Sequence, residues 1–143
     1  MLVGYTRISK VQRDEDLRDQ KRRLQKFGCD DANIYTEQTS QKEPRLALKA
    51  AMDMLRSGDK LVVDKLSHLG FEASDIGRCF DSIDARSAHI VVLDVAGQVM
   101  DTSTKSGQSI MSIVMAVSDL ASQAQREAKL EGLSKTRKAY RIT

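Results

Sequence analysis

The chain opens with short apolar runs separated by segments of helical periodicity. The apolar runs predict strands at residues 2–5, 33–37, 60–64 and 90–93. Between them, apolar residues recur every three or four positions and predict helices at residues 14–27, 46–55 and 74–85. Strands that alternate with helices are typical of an α/β domain with a largely parallel sheet flanked by helices. We therefore expect the functional site at the carboxyl ends of the strands.

The last third of the chain has the pattern of one long helix over residues 106–140. Such a helix is about 50 Å long and exceeds the width of a small domain. Its first half is apolar on more than one side, as Ile110, Met111, Met115 and Val117 show. This pattern favours contact with a second subunit as well as with the core, and burial in the core alone is the alternative. We predict a catalytic-type core at residues 1–100 and an oligomerisation helix at residues 101–143.

Composition narrows the class of protein. The chain has 143 residues, of which 41% are hydrophobic and 30% are charged, as expected for one globular domain. No apolar run approaches the roughly 20 residues of a membrane span. Because the core pattern begins at residue 2, we expect no signal peptide. Cys29 and Cys79 lack the spacing of metal ligands, which favours reduced thiols in the cytoplasm. We expect no metal and no cofactor.

The basic residues are concentrated at the end of the chain. Residues 126–143 carry six basic and two acidic side chains, a net charge of +4, whereas the whole chain carries +3. A basic helix end is typical of contact with the DNA backbone, although cations also stabilise a helix C-terminus without a partner. The expected DNA contacts are Lys135, Arg137, Lys138 and Arg141.

Polar clusters follow three of the predicted strands. They are Arg7 and Ser9 after the first strand, Thr39 and Ser40 after the second, and Lys65, Ser67 and His68 after the third. Taken alone, each cluster also fits a strand that runs into a polar turn. In a parallel sheet, however, the three loops meet at one edge and combine a hydroxyl nucleophile with an arginine. That combination suits chemistry on a phosphodiester, where positioning and charge neutralisation supply most of the rate.

The order of the motifs resembles the catalytic domain of the serine recombinases, the resolvase and invertase family. The resemblance covers nearly the whole chain and rests on the following residues: Tyr5, Arg7 and Ser9, then Gln20, Ser40, Gly58 and Asp59, then Lys65, Leu66, Leu69 and Gly70, and finally Asp101, Thr102, Thr104, Gly107 and Arg126.

The resemblance implies a reaction and an assembly. Ser9 would attack a DNA phosphate and form a 5′-phosphoserine link, and Arg7 would bind that phosphate. Gln20 and Arg126 would support the site, together with Ser40 and Arg45. The long helix would form dimers and, in the synaptic state, tetramers that cut and exchange DNA strands. Neither a metal, nor a small-molecule substrate, nor a membrane is implied.

Several positions depart from the family pattern. Ser67, His68 and Phe71 stand where the family has an aspartate and two arginines, and Gln125 replaces a glutamate. A further family arginine falls on Glu43 if Pro44 keeps its register, or survives as Arg45 if the loop is one residue shorter. We therefore expect impaired cleavage. The alternative is a catalytically inactive homologue with an assembly or DNA-associated regulatory role.

The last departure concerns DNA recognition. Small resolvases and invertases carry a helix-turn-helix domain after the long helix, and this chain ends at Thr143. Either the natural protein continues into such a domain, or it lacks one. Without that domain we expect only backbone contacts with DNA and no sequence-specific recognition.

Overall fold

The computed structural model describes the backbone of residues 1–40, 43–70 and 72–141, and along the last helix it describes side chains no further than Gly132. Five strands form one sheet in the order β2-β1-β3-β4-β5. The strands are β1 (Leu2–Ile8), β2 (Ile34–Gln38), β3 (Lys60–Val63), β4 (His89–Val95) and β5 (Gln98–Asp101). The helices are α1 (Asp14–Phe27), α2 (Leu46–Asp53), α3 (Ala73–Ala85) and α4 (Lys105–Arg141).

The first four strands are parallel, and β5 runs antiparallel to β4. The predicted α/β fold with a largely parallel sheet is therefore confirmed. The sequence pattern missed β5, because it contributes only Val99 and Met100 as apolar residues. Its hairpin turn is made by Ala96 and Gly97, both with positive φ, as tight turns between antiparallel strands require.

The two faces of the sheet are covered by different helices, since side chains alternate along each strand. On one face, Leu24 of α1 packs with Cys29, Val62 and Val91. The other face carries the larger core, which combines strand residues with side chains of α2, α3 and α4: Val3, Tyr5, Leu48, Leu61, Ile83 and Met111. The carboxyl ends of β1, β2 and β3 are left between these two layers.

The start of α4 is fixed against β5. The Thr104 hydroxyl accepts a hydrogen bond from the amide of Gly107 at 3.0 Å and donates one to the carbonyl of Asp101 at 2.7 Å. A Cβ atom at position 107 would lie 1.8 Å from that carbonyl oxygen, so the close approach requires glycine. Thr104 therefore caps the N-terminus of α4.

The first half of α4 contacts the core with only one side. Met111 is 1% exposed, whereas Ile113, Val117 and Leu120 are 64%, 60% and 65% exposed. An apolar stripe of the helix is therefore open to solvent on the single chain. Among the described residues, no helix is both long and apolar enough to cross a membrane. The proposed boundary at residue 100 stays a prediction.

Candidate active site

Arg7 is held in place at the carboxyl end of β1. Its Nε donates to the Thr39 hydroxyl at 3.1 Å and its Nη2 donates to the Thr39 carbonyl at 2.8 Å. The amide of Gln20 brackets the same residue from α1, because its Oε1 accepts from the Arg7 amide at 3.1 Å and its Nε2 donates to the Arg7 carbonyl at 3.0 Å. Both side chains are almost fully buried. Thr39 therefore holds the guanidinium of Arg7, and Gln20 holds the main chain of the same residue.

A second guanidinium lies near the first. Arg45 stands at the N-cap position of α2, and its Nη1 donates to the carbonyl of His68 at 2.6 Å. Burial, followed by the positive charge of Arg45, lowers the pKa of Arg7. Arg45 therefore lies close enough for its charge to act on Arg7. The correspondence of the family's loop arginine to Glu43 or to Arg45 stays a prediction.

A carboxylate connects β1 to the start of α2. The buried hydroxyl of Tyr5 donates to Glu37 Oε1, and Glu37 Oε2 accepts from the amide of Ala47 at 3.2 Å. Burial and the bond to Glu37 raise the pKa of Tyr5 well above its usual range. Glu37 was not a predicted site residue. Its signal was the parallel pairing of β1 and β2, which sets it beside Arg7.

Ser9 follows β1 directly and is partly exposed. Its amide donates to Gln12 Oε1 at 2.7 Å, and Gln38 Nε2 donates to its carbonyl at 3.3 Å. The hydroxyl thus belongs to the loop that starts at the end of β1, two residues beyond the anchored Arg7. The next loop along the sheet edge places the Ser40 hydroxyl 3.1 Å from Glu43 Oε1.

A histidine side chain follows the end of β3. His68 ends a 3₁₀ turn (Leu66–His68), and its Nδ1 is buried with no hydrogen-bond partner among the residues that the structure describes. Burial lowers the pKa of His68 to about 4. The neighbouring Ser67 is exposed. At neutral pH this loop therefore adds no positive side chain at His68.

A polar cavity of about 260 Å³ separates His68 from α1, and Gln12, Gln20 and Lys65 also line it. Its floor contains an ion pair that sequence reasoning missed. Arg23 donates to both carboxylate oxygens of the buried Asp64, at 2.9 and 2.7 Å. The pair ties α1 to the end of β3 at the edge where the other polar residues meet.

Other predicted site residues lie apart from this group or outside the description. Gln125 and Arg126 line a separate cavity of about 170 Å³ with Glu72 and Ser74 at the start of α3. Phe71 lies outside the described residues, as do the side chains of Lys135, Arg137, Lys138 and Arg141. Among the described residues, no group of three or more histidine, cysteine or acidic side chains could hold a metal ion.

Comparison with known proteins gives a consistent result. The family model described as "Resolvase, N terminal domain" matches residues 2–141. The chain is 29% identical to the DNA-invertase hin of Salmonella typhimurium over 141 residues, which cover 98% of this chain and 70% of the invertase. It is also 29% identical to a resolvase of Clostridium perfringens over 136 residues, which cover 93% of this chain and 70% of the resolvase.

Solved structures show the same fold. The catalytic domain of TP901-1 integrase superposes with a TM-score of 0.68 at 20% identity, over 86% of this chain and 97% of that domain. A resolvase family site-specific recombinase from Streptococcus pneumoniae gives a TM-score of 0.67 at 20% identity, over 95% of this chain and 97% of the other. The architecture of β1 to β5 with its helices is therefore shared with catalytic domains of this kind.

Proposed function

The chain belongs to the Resolvase N-terminal domain family, the serine recombinases of site-specific DNA recombination, and we propose that it cuts DNA with Ser9 as nucleophile. The Ser9 oxygen bonds to the scissile phosphorus as the bond from phosphorus to the 3′ oxygen breaks. The serine proton is released, and the leaving oxygen takes up a proton as a 3′-hydroxyl. The product is a 5′-phosphoserine link, and the step needs neither a metal nor ATP.

The arrangement of Arg7 and Arg45 is the observation that supports this proposal. A phosphoryl group that is transferred to Ser9 must have its oxygens neutralised by fixed donors. Arg7 is anchored two residues before Ser9, and Arg45 is held by the loop after β3. A pair of guanidinium groups with fixed orientation suits the non-bridging oxygens of a phosphodiester.

We propose further that cleavage is slow. Two family arginines are replaced, by a neutral imidazole at His68 and by Phe71. The loss of one preorganised donor costs about 10²–10³ in rate. The side chain of Gln20 supports Arg7 by hydrogen bonds to the main chain of Arg7. In this proposal Arg126 acts only if DNA or a second subunit brings α4 to the scissile phosphate.

The second candidate function is a catalytically inactive homologue that assembles with itself or with DNA. The buried, uncharged His68 favours it, because the imidazole cannot replace the missing guanidinium at neutral pH. The first function requires DNA as the partner in the cytoplasm, whereas the second requires either DNA or further copies of the chain. Covalent attachment of Ser9 to DNA occurs only in the first.

We propose that α4 mediates assembly in either case. The exposed stripe of Ile113, Val117 and Leu120 would be buried in a homodimer and, in the synaptic state, a tetramer. Lys135, Arg137, Lys138 and Arg141 would then lie along the DNA backbone. Light scattering at high micromolar concentration tests the assembly: we expect dimers or larger species, and a shift toward monomer for Val117→Asp, because the contact would bury a charge.

Trapping of the covalent intermediate tests the chemistry. The chain is fused to a helix-turn-helix domain from an invertase, to supply recognition, and incubated with a nicked invertase-site duplex from which the cut strand cannot be resealed. Cleavage gives a protein–DNA band that survives denaturation and is absent for Ser9→Ala. If DNA is bound but no such band forms even after long incubation, the inactive homologue is the correct assignment.

A further inference from the structure

The carboxylate of Glu43 contacts the loops that follow β1 and β2. Glu43 Oε1 accepts a hydrogen bond from the Ser40 hydroxyl at 3.1 Å and forms an ion pair with the ammonium group of Lys10. Lys10 belongs to the loop of Ser9, and Ser40 belongs to the loop that leads to α2. Donors from two separate loops therefore meet at one anionic oxygen.

The two loops are also connected through their main chains. Gln38 Nε2 donates to the carbonyls of both Ser9 and Lys10 at 3.3 Å. The first residues of the Ser9 loop are thus held against the end of β2. An anion bound between Lys10 and Ser40 would lie on the segment that carries the nucleophile.

An ammonium group and a hydroxyl that converge on one oxygen form a donor set suited to a phosphate oxygen. The carboxylate of Glu43 satisfies this set in the chain on its own. The hydrogen bond from Lys10 is the main cause that lowers the pKa of Glu43, so the group is ionised at neutral pH. Exposed ion pairs are weak and exchange readily, and the Lys10 side chain is 61% exposed.

We propose that Lys10 and Ser40 form a subsite for a backbone phosphate of DNA, and that Glu43 occupies this subsite until DNA displaces it. The inference rests on the proposed function in one respect, namely that DNA is the partner. In this proposal Glu43 opposes the binding of DNA. The family arginine that one alignment places at position 43 would instead favour it. Binding of DNA releases a carboxylate from Lys10 and replaces it with a phosphate oxygen.

The competing explanation is an ordinary surface ion pair that does not take part in binding. A double-mutant cycle with Glu43→Gln and Lys10→Gln separates the two explanations. If Glu43 competes with the phosphate, Lys10→Gln weakens DNA binding more strongly in the Glu43→Gln background than in the unmodified chain. If the pair is only structural, Lys10→Gln has the same effect in both backgrounds.

The measurement is fluorescence anisotropy of a labelled duplex of about 20 base pairs, titrated at a series of salt concentrations. We expect Glu43→Gln to bind several-fold more tightly, because no carboxylate has to be displaced from Lys10. In that background Lys10→Gln should reduce the slope of log K against log salt by about 0.9, the contribution of one phosphate contact. Glu15→Gln is the matched control, since it removes the same charge from the exposed first turn of α1. Thermal melting establishes that every variant is folded.

Three outcomes overturn the inference. They are a Glu43→Gln affinity equal to that of Glu15→Gln, an additive cycle with Lys10→Gln, and no DNA binding by any variant. The test does not depend on cleavage by Ser9. A coupled cycle without covalent adduct would therefore support the subsite while it refutes the proposed chemistry.

Discussion

The carboxyl edge of the sheet has two halves that differ in charge although the same fold builds both. At the ends of β1 and β2, Arg7 is bound by Thr39 and bracketed by Gln20, and Arg45 lies close to it. At the end of β3, the imidazole of His68 is half-buried and uncharged at neutral pH, and its Nδ1 has no partner among the described residues. One half places two guanidinium groups near each other, and in the other half the side chain of His68 is uncharged at neutral pH.

The main chain of the second half nevertheless keeps a role. The carbonyl of His68 accepts from Arg45 at 2.6 Å and so helps to orient the cation that belongs to the first half. This contact uses the main chain of the loop, so it does not depend on the charge of the side chain at position 68.

The largest effect on the rate of adduct formation is expected from adding cations to the half of the edge at the end of β3. Together, Ser67→Asp, His68→Arg and Phe71→Arg restore the family residues and add two cations, which should raise the rate of adduct formation by about 10⁴ or more. These groups act as a unit, so each single change should do much less. The rate is followed by the appearance of the covalent band on a nicked duplex.

His68→Gln alone serves as the control, because it alters the same position without adding charge. An unmodified chain that reacts as fast as the triple variant would show that the second half of the edge does not limit the reaction.

The next largest effect is expected when a cation is removed from the half at the ends of β1 and β2. Arg45→Met should lower adduct formation by about 10²–10³, since one fixed donor is lost. Arg45→Lys keeps the charge but cannot reproduce the planar donor geometry, so it should recover only part of the rate. The comparison is made at saturating DNA. Equal rates for the arginine and methionine forms would exclude Arg45 from the site.

Most of the fold could be predicted because its elements follow local patterns. The predicted helix at 14–27 agrees with α1, and the β-branched run at 60–64 agrees with β3 within one residue. β5 could not be predicted from its own residues. It pairs with β4 through a hairpin and packs under α4, and both interactions are tertiary.

The site was predicted less completely than the fold. Motif order predicts Arg7, Ser9 and Gln20 as site residues, but it does not choose between Glu43 and Arg45, and that assignment stays a prediction. Glu37 and the Arg23–Asp64 pair involve residues far apart in sequence, whose proximity comes only from sheet register and from the packing of α1. No periodicity in the chain reports such contacts.

A smaller effect should follow from loosening Arg7 without removing it. Thr39→Val deletes the hydroxyl that accepts from Arg7 Nε at 3.1 Å, and it should lower the free energy of unfolding by about 1.5–3 kcal/mol, the value of a hydrogen bond to a charged group. Thr36→Val on the exposed side of β2 is the matched control and should change stability little. Urea unfolding measures both. Equal stabilities for the two variants would mean that the Thr39 hydroxyl does not anchor the guanidinium.

The pH dependence of stability tests the other half of the edge and should give the smallest effect. The fold lowers the pKa of His68 from 6.5 to about 4, because burial outweighs the attraction of Asp64, while Lys65, Arg7 and Arg23 lower it further. Between pH 4 and pH 6.5, His68 is therefore largely protonated in the unfolded chain and largely unprotonated in the folded chain. Stability from this group is complete above about pH 6.5 and falls as the pH drops toward 4. Because the imidazole is partly accessible to solvent, we expect the free energy of unfolding to fall by about 2 kcal/mol.

Urea unfolding at several pH values, compared with His68→Gln, isolates this contribution from that of the carboxylates. Parallel curves for the two proteins would contradict the buried, neutral state of His68.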